Sequence, residues 1–197
     1  MVGVLALQGD FAEHAAAMRR AGFATRLIRS PAQLAGLDAL VLPGGESSTM
    51  IRLLTVEGLW EPLGAVLRSG LPVLATCAGA ILLAERVEPE QRSYGLLPIH
   101  VVRNGYGRQL HSGTFRLESD VLPAGTTATF IRAPRIVDAG DCEVLARRDG
   151  DPVLVRRGPI LAAGFHPELQ PDHPVTRLFT AALGGAGGVQ RHAPALP

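Results

Sequence analysis

"LPVLATCAGAILLA", Leu71–Ala84, places a single thiol between two apolar runs. Pro72–Ala75 reads as a strand covered on both faces, and Ala78–Glu85 as a helix. Cys77 then stands at the C-terminal end of a strand, where open parallel sheets bind their ligands. Ala75-Thr76-Cys77-Ala78-Gly79 follows the pattern small-x-nucleophile-x-small. A sharp strand-to-helix turn of this kind exposes its central side chain and tolerates no bulk two residues away. The helix N-terminus behind Cys77 favours a thiolate. The N–H of Ala78 would point into the same space, where an oxyanion can accept it. A buried, inert cysteine is the competing reading, because free cysteines often serve as small core residues.

The flanking sequence continues the strand–helix alternation. Val2–Leu7 is a short apolar run, again suited to a strand covered on both faces. Asp10 and Glu13 fit an N-cap and its capping-box partner, and Phe11, Ala15, Met18 and Gly22 follow helical spacing. "ATRLIR" and Ala39–Leu42 read as further strands, the latter ending in a Pro-Gly-Gly turn. Helices are expected from about Ser47 to Leu54 and near Trp60–Arg68. This alternation predicts a three-layer α/β fold of flavodoxin-like type, with a mostly parallel central sheet between helices. The second half breaks into short β-like pieces separated by Gly, Pro, Asp and Asn, which predicts hairpins and antiparallel strands added to that sheet. One more helix, about Val175–Leu183, is expected before a glycine-rich end.

A thiol nucleophile needs a base, and "GFHPEL" offers one. Leu161–Phe165 reads as a strand with His166 and Glu168 after it. Residues i and i+2 of an extended segment project to one side, so Glu168 can orient the imidazole of His166. That makes Cys77, His166 and Glu168 a nucleophile, a base and the group that sets the base's tautomer. A surface loop also accounts for His-x-Glu when it is taken alone. "PGGESS", Pro43–Ser48, lies at another strand end. Its adjacent glycines let the backbone approach a ligand, and Gly45 is a candidate second oxyanion donor. A turn before a helix capped by Ser47 or Ser48 is the structural alternative. A phosphate loop lacks its lysine here. Gln8, at the end of the first strand, is a candidate for the same crevice, or simply a polar strand terminus.

The bulk properties narrow the class. At 197 residues, the chain suits one domain, expected over residues 1–185, with 186–197 as a flexible tail. Nineteen Lys and Arg against eighteen Asp and Glu give a net charge of +1 without a basic block, so no nucleic-acid surface is expected. The opening residues lack the pattern of a signal peptide, and no apolar run reaches the roughly 18 residues of a membrane span. Two cysteines, Cys77 and Cys142, make no disulfide framework and suit a reducing cytoplasm.

With these residues assembled, the chain resembles the class I (triad) glutamine amidotransferases. More narrowly, it resembles the glutaminase subunits of pyridoxal 5′-phosphate synthase. "LALQGDFAEH", "LPGGESSTM", "TCAGAILLA", "RNGYGRQ", "FIRAP" and "GFHPEL" carry the resemblance. It implies that Cys77 is the nucleophile, His166 the base and Glu168 its partner. It also implies that L-glutamine is bound by Gly45, Glu46, Ser47, Arg103, Ile131 and Arg132. An α-carboxylate suits an arginine fork, and an α-ammonium suits Glu46 or backbone carbonyls. The segment "LHSGTFRLES" and Ala80 depart from the family's pattern. Cys142 and the histidines at 14, 100, 111, 173 and 192 match no motif.

The resemblance further implies a (β/α)8-barrel synthase partner in a large hetero-oligomer. That partner receives ammonia, builds pyridoxal 5′-phosphate from two sugar phosphates, and activates the glutaminase by completing the oxyanion site. A peptide rotation at Gly44–Gly45 is the expected lever. No metal or other cofactor is required. Two rivals stand beside this reading. One is an amidotransferase subunit serving a different synthase. The other is a non-enzymatic thiol sensor on the same scaffold, which would need neither "HPE" nor a carboxylate-binding arginine.

Overall fold

The computed structural model describes residues 1–107 and 112–185. The expected tail at 186–197, His111, His192 and the end of "RNGYGRQ" lie outside the described residues. Five short strands form the parallel part of a seven-stranded sheet: β1 (Val2–Leu5), β2 (Thr25–Ile28), β3 (Ala39–Leu42), β4 (Val73–Thr76) and β12 (Ile160–Ala163). Their order across the sheet is β2-β1-β3-β4-β12. The reversal beside β1 is a topological switch point of the flavodoxin type. β10 (Glu143–Arg148) and β11 (Asp151–Arg157) continue the sheet beyond β12 as an antiparallel hairpin.

Strand parity sorts the core into two layers. Val2, Val4, Ala39, Val41, Leu74, Leu161 and Ala163 face one side. There they meet α1 (Phe11–Arg20) through Ala15 and Met18, and α5 (Pro174–Gly185) through Val175, Phe179 and Leu183. The alternate residues Leu5, Leu40, Leu42, Val73, Ala75, Ile160 and Ala162 face the other side. They pack against α2 (Ser47–Val56), α3 (Trp60–Arg68) and α4 (Ala78–Leu83). The strands read as continuous apolar runs because both faces are covered.

Four local expectations need correction. The helix after Cys77 ends at Leu83, and Ala84–Glu88 is a strand, β5. It pairs with β6 (Leu97–Val102), which pairs in turn with β9 (Arg135–Asp138), in a separate three-stranded sheet. β7 (Gly113–Arg116) and β8 (Thr127–Phe130) form a further two-stranded ribbon. Thus only β10 and β11 among the later hairpin pieces extend the main sheet. The N-cap of α2 is Glu46, not a serine: its Oε2 accepts the N–H of Thr49 at 2.7 Å. Asp10 does stand at the N-cap of α1, but its side chain makes no capping hydrogen bond. Its carboxylate turns instead toward His166.

Candidate active site

Adjacent parallel strands β12, β4, β3 and β1 end at one edge, and the residues just beyond those ends build the site. The link between the first two is set by register. Ala163 pairs with Thr76, and the N–H of Cys77 donates to the carbonyl of Ala163 at 2.8 Å. Three residues beyond Ala163 comes His166, whose N–H donates to the carbonyl of Thr129 at 2.9 Å. The sheet itself therefore delivers thiol and imidazole to one place.

Cys77 has φ 46°, a left-handed value rare for a residue with a Cβ. Strain at such a position is characteristic of functional turns. It follows from the close seating of α4: a Cβ on Gly79 would lie 2.2 Å from the carbonyl oxygen of Leu42. Ala78 opens α4, so its N–H has no partner within the helix. Cys142, the other free thiol, is buried in the layer with α2–α4, and burial pushes its pKa up.

Glu168 lies in a 3₁₀ turn, Pro167–Leu169, rather than an extended segment. The turn brings its Oε1 to 2.7 Å from His166 Nδ1, in a setting where both side chains are buried. The expected contact exists, but by a turn and not by strand alternation. Asp10 Oδ2 lies 3.2 Å from the same nitrogen. Burial favours a neutral ring, but hydrogen bonds involving Asp10, Cys77 and Glu168 outweigh it and raise the pKa of His166 well above the ordinary value. Among the described residues no hydrogen bond to its Nε2 meets ordinary geometry, and the ring shares its cavity with Cys77. Burial likewise disfavours ionised Glu168, but His14 and His166 outweigh that effect and hold its pKa down at about 2.

A cavity of about 290 Å³ opens over these groups. Of the expected residues, Cys77, His166, Gly45, Glu46, Ser47, Arg103, Ile131 and Arg132 line it, and Asp10 and Asn104 join them. Gln8 does not. Its amide is engaged by the backbone of Glu46, donating to the carbonyl and accepting the N–H, each at 3.2 Å. Gln8 thus braces the glycine loop. Packing there is tight. Gly45 has φ 135°, and a Cβ on it would meet the Gln8 amide at 2.5 Å; one on Gly44 would meet His166 Cε1 at 2.4 Å.

Several polar groups around the cavity are already partnered. Arg103 Nη2 donates to Glu46 Oε1 at 2.9 Å and to Ser48 Oγ at 3.0 Å. Ser47 Oγ donates to Gln91 Oε1 at 3.0 Å. Arg132, with φ 44°, is exposed and its backbone N–H donates to Ser112 Oγ at 3.2 Å. Asp10, His166 and Glu168 also have donor atoms within 4.8 Å of one another, close enough to share a cation. The 2.7 Å hydrogen bond from Nδ1 already takes up the nitrogen that such an ion would need.

Asp10, which the sequence places at a cap, and His14, which matches no motif, are both part of this site. His14 is buried on α1, with Nε2 3.0 Å from Thr76 Oγ1 and 3.2 Å from Glu168 Oε2. The available signal was spacing: Asp10 and His14 are four apart, and His14 falls on the apolar stripe with Met18.

Comparison with known proteins places the chain in a family. The model of the SNO glutamine amidotransferase family matches residues 4–183. "Pyridoxal 5′-phosphate synthase subunit PdxT" of Parafrankia sp. (strain EAN1pec) is 49% identical over 96% of this chain and 96% of its own length. The protein of that name from Thermotoga maritima is 48% identical over 90% of this chain and 96% of its own. A crystal structure of a glutamine amidotransferase superposes with a TM-score of 0.85 at 43% identity, covering 93% of this chain and 98% of that one.

Proposed function

The chain belongs to the SNO glutamine amidotransferase family, and from that premise we propose that it hydrolyses L-glutamine to glutamate and ammonia as the glutaminase subunit of a pyridoxal 5′-phosphate synthase. The observation that carries this reading is the meeting of three groups. Cys77 sits at a strained strand-to-helix turn, in one cavity with His166, whose Nδ1 is 2.7 Å from buried Glu168.

In this reading, the Cys77 sulfur attacks the side-chain amide carbon of L-glutamine as a thiolate. The N–H groups of Ala78 and Gly45 receive the oxyanion of the tetrahedral intermediate; losing one such donor costs on the order of 10²–10³ in rate. His166 gives its Nε2 proton to the departing nitrogen, and ammonia leaves a γ-glutamyl thioester. The neutral imidazole then takes a proton from water, which attacks the thioester, and glutamate departs with the thiol restored. Glu168 keeps Nδ1 protonated and offsets the positive ring throughout. Arg103, Arg132, Glu46, Ser47 and Ile131 hold the amino-acid end. Because Arg103 and Glu46 are paired with each other, substrate binding exchanges part of that ion pair for the α-carboxylate and α-ammonium.

The relatives' printed name makes them subunits of a synthase, and the ammonia is read here as passing to such a partner. We assign that partner the barrel form and the hetero-oligomer implied by the resemblance. A single domain at 1–185 and a cytoplasmic setting complete the proposal; the latter suits a free nucleophilic thiol. Among the described residues, no helix is long and apolar enough to cross a membrane. The Gly44–Gly45 peptide is the proposed point of activation, since glycine admits both peptide orientations at low steric cost. The test is ammonia release from L-glutamine, with and without the synthase. Turnover that requires the synthase is the expected result. No release in its presence refutes the glutaminase reading, and full activity of the lone chain refutes the activation step.

A further inference from the structure

We infer that His14 is a positioning residue of this site, acting on both the acid and the nucleophile-bearing strand; the inference rests on the glutaminase reading above. Glu168 is fully buried through its side chain, and its two oxygens face different histidines. Oε1 meets His166 Nδ1 at 2.7 Å, and Oε2 lies 3.2 Å from His14 Nε2. An ionised carboxylate only accepts hydrogen bonds, so His14 must carry its proton on Nε2 for that contact to be attractive. The hydrogen bond of Nε2 itself runs to Thr76 Oγ1 at 3.0 Å, so Oε2 accepts no hydrogen bond among the described residues and meets His14 as a close polar contact. Thr76 has the strand parity of Leu74, which faces α1, and it immediately precedes Cys77. One buried imidazole on α1 thus ties the turn that carries Glu168 to the strand end that presents the sulfur.

Without His14, Oε2, which already has no hydrogen-bond partner among the described residues, would lose the polar side chain 3.2 Å from it, and a buried carboxylate so stripped turns toward another donor or takes up a proton. Either response alters the Nδ1 contact that orients His166. Its effect therefore reaches the chemistry through Glu168, not through substrate.

The test uses the chain in complex with its synthase and compares His14→Leu, His14→Gln and His14→Asn. A glutamine amide nitrogen falls near the place of Nε2, whereas that of asparagine falls short of it. Expected for His14→Leu is a fall in kcat of up to about 10²-fold, the scale of an ångström's misplacement, with KM for L-glutamine unchanged. His14→Gln restores most of the rate and His14→Asn does not. Alkylation of Cys77 by iodoacetamide at neutral pH gives a second readout that needs no glutamine, and it should slow in the same order. Wild-type rates in His14→Leu overturn the inference, as does equal impairment of the Leu and Gln variants. If His14→Leu does not fold, the Gln and Asn pair decides: equal kcat and equal alkylation rates overturn it. Ammonia release tests the glutaminase reading, while alkylation tests His14 by itself, so the two failures are distinguishable.

Discussion

Gly44→Ala isolates the placement of His166. Gly44 does not have a positive φ, so alanine meets no backbone strain there. The obstacle is space: the new Cβ would lie 2.4 Å from His166 Cε1 and 2.9 Å from Nδ1. Ordinary carbon–carbon contact begins near 3.5 Å, so the ring or the loop must retreat by about 1 Å. The ring cannot do so freely, because Nδ1 is held at 2.7 Å by Glu168 and faces Asp10 at 3.2 Å. A displacement of about 1 Å in a catalytic group costs roughly 10²-fold in rate, and overpacking of this kind costs about 1–3 kcal/mol in stability. For a domain of this size, that is a fall of roughly 2–12 °C in Tm. The assays are ammonia release by the complex with its synthase, thermal unfolding of the chain alone, and iodoacetamide alkylation of Cys77. Alkylation separates the two ways in which the substitution could act. It depends on the imidazole beside the thiol and not on the oxyanion donors. The expected outcome is loss of turnover with slowed alkylation. Wild-type turnover at an unchanged Tm would refute the argument that the glycine loop and the ring are in hard contact.

Other outcomes follow from the same geometry. Cys77→Ala removes the nucleophile and should abolish ammonia release while leaving the far-ultraviolet circular dichroism unchanged; residual turnover at the wild-type rate would remove Cys77 from the mechanism. Glu168→Gln should lower kcat by on the order of 10⁴-fold, the scale seen when the orienting carboxylate of a triad is neutralised; a loss below tenfold would argue against that role. The folded-state pKa of Glu168 is depressed to about 2, against about 4.3 unfolded, so its stabilising effect is complete above the unfolded value. It is lost as pH falls from about 4.3 toward 2, and acid titration of stability should be shallower in that window for Glu168→Gln than for wild type. Gly79→Ala would place a Cβ 2.2 Å from the Leu42 carbonyl oxygen, and because backbone cannot yield as a side chain does, it should cost more Tm than Gly44→Ala.

Much of this protein was legible without coordinates, and for a local reason. Apolar runs, their lengths and the small residues around Cys77 report on neighbours only a few positions away. Ala39–Leu42 and Trp60–Arg68 form the expected elements at the expected bounds. Cys77, His166 and Glu168 could be named because each sits where a strand ends, and strand ends are marked in the chain by glycine, proline and polar residues. The serine cap of α2 and the side-chain cap of Asp10 do not form because capping is a competition. A carboxylate near a helix N-terminus takes whichever donor the tertiary structure brings, and for Asp10 that donor is His166.

What the amino-acid order alone determined was the alternation of strands and helices and the chemical identity of the proposed nucleophile, base and acid. Only the folded arrangement decided who stands beside them. The parallel register of β4 against β12 puts thiol and imidazole at one edge. Strand parity points Thr76 at α1, and the packing of α1 against the turn at Glu168 turns an unassigned histidine into the acid's second partner. Those contacts join residues far apart in the chain, and no periodicity within a segment encodes the face that a distant segment will present to it.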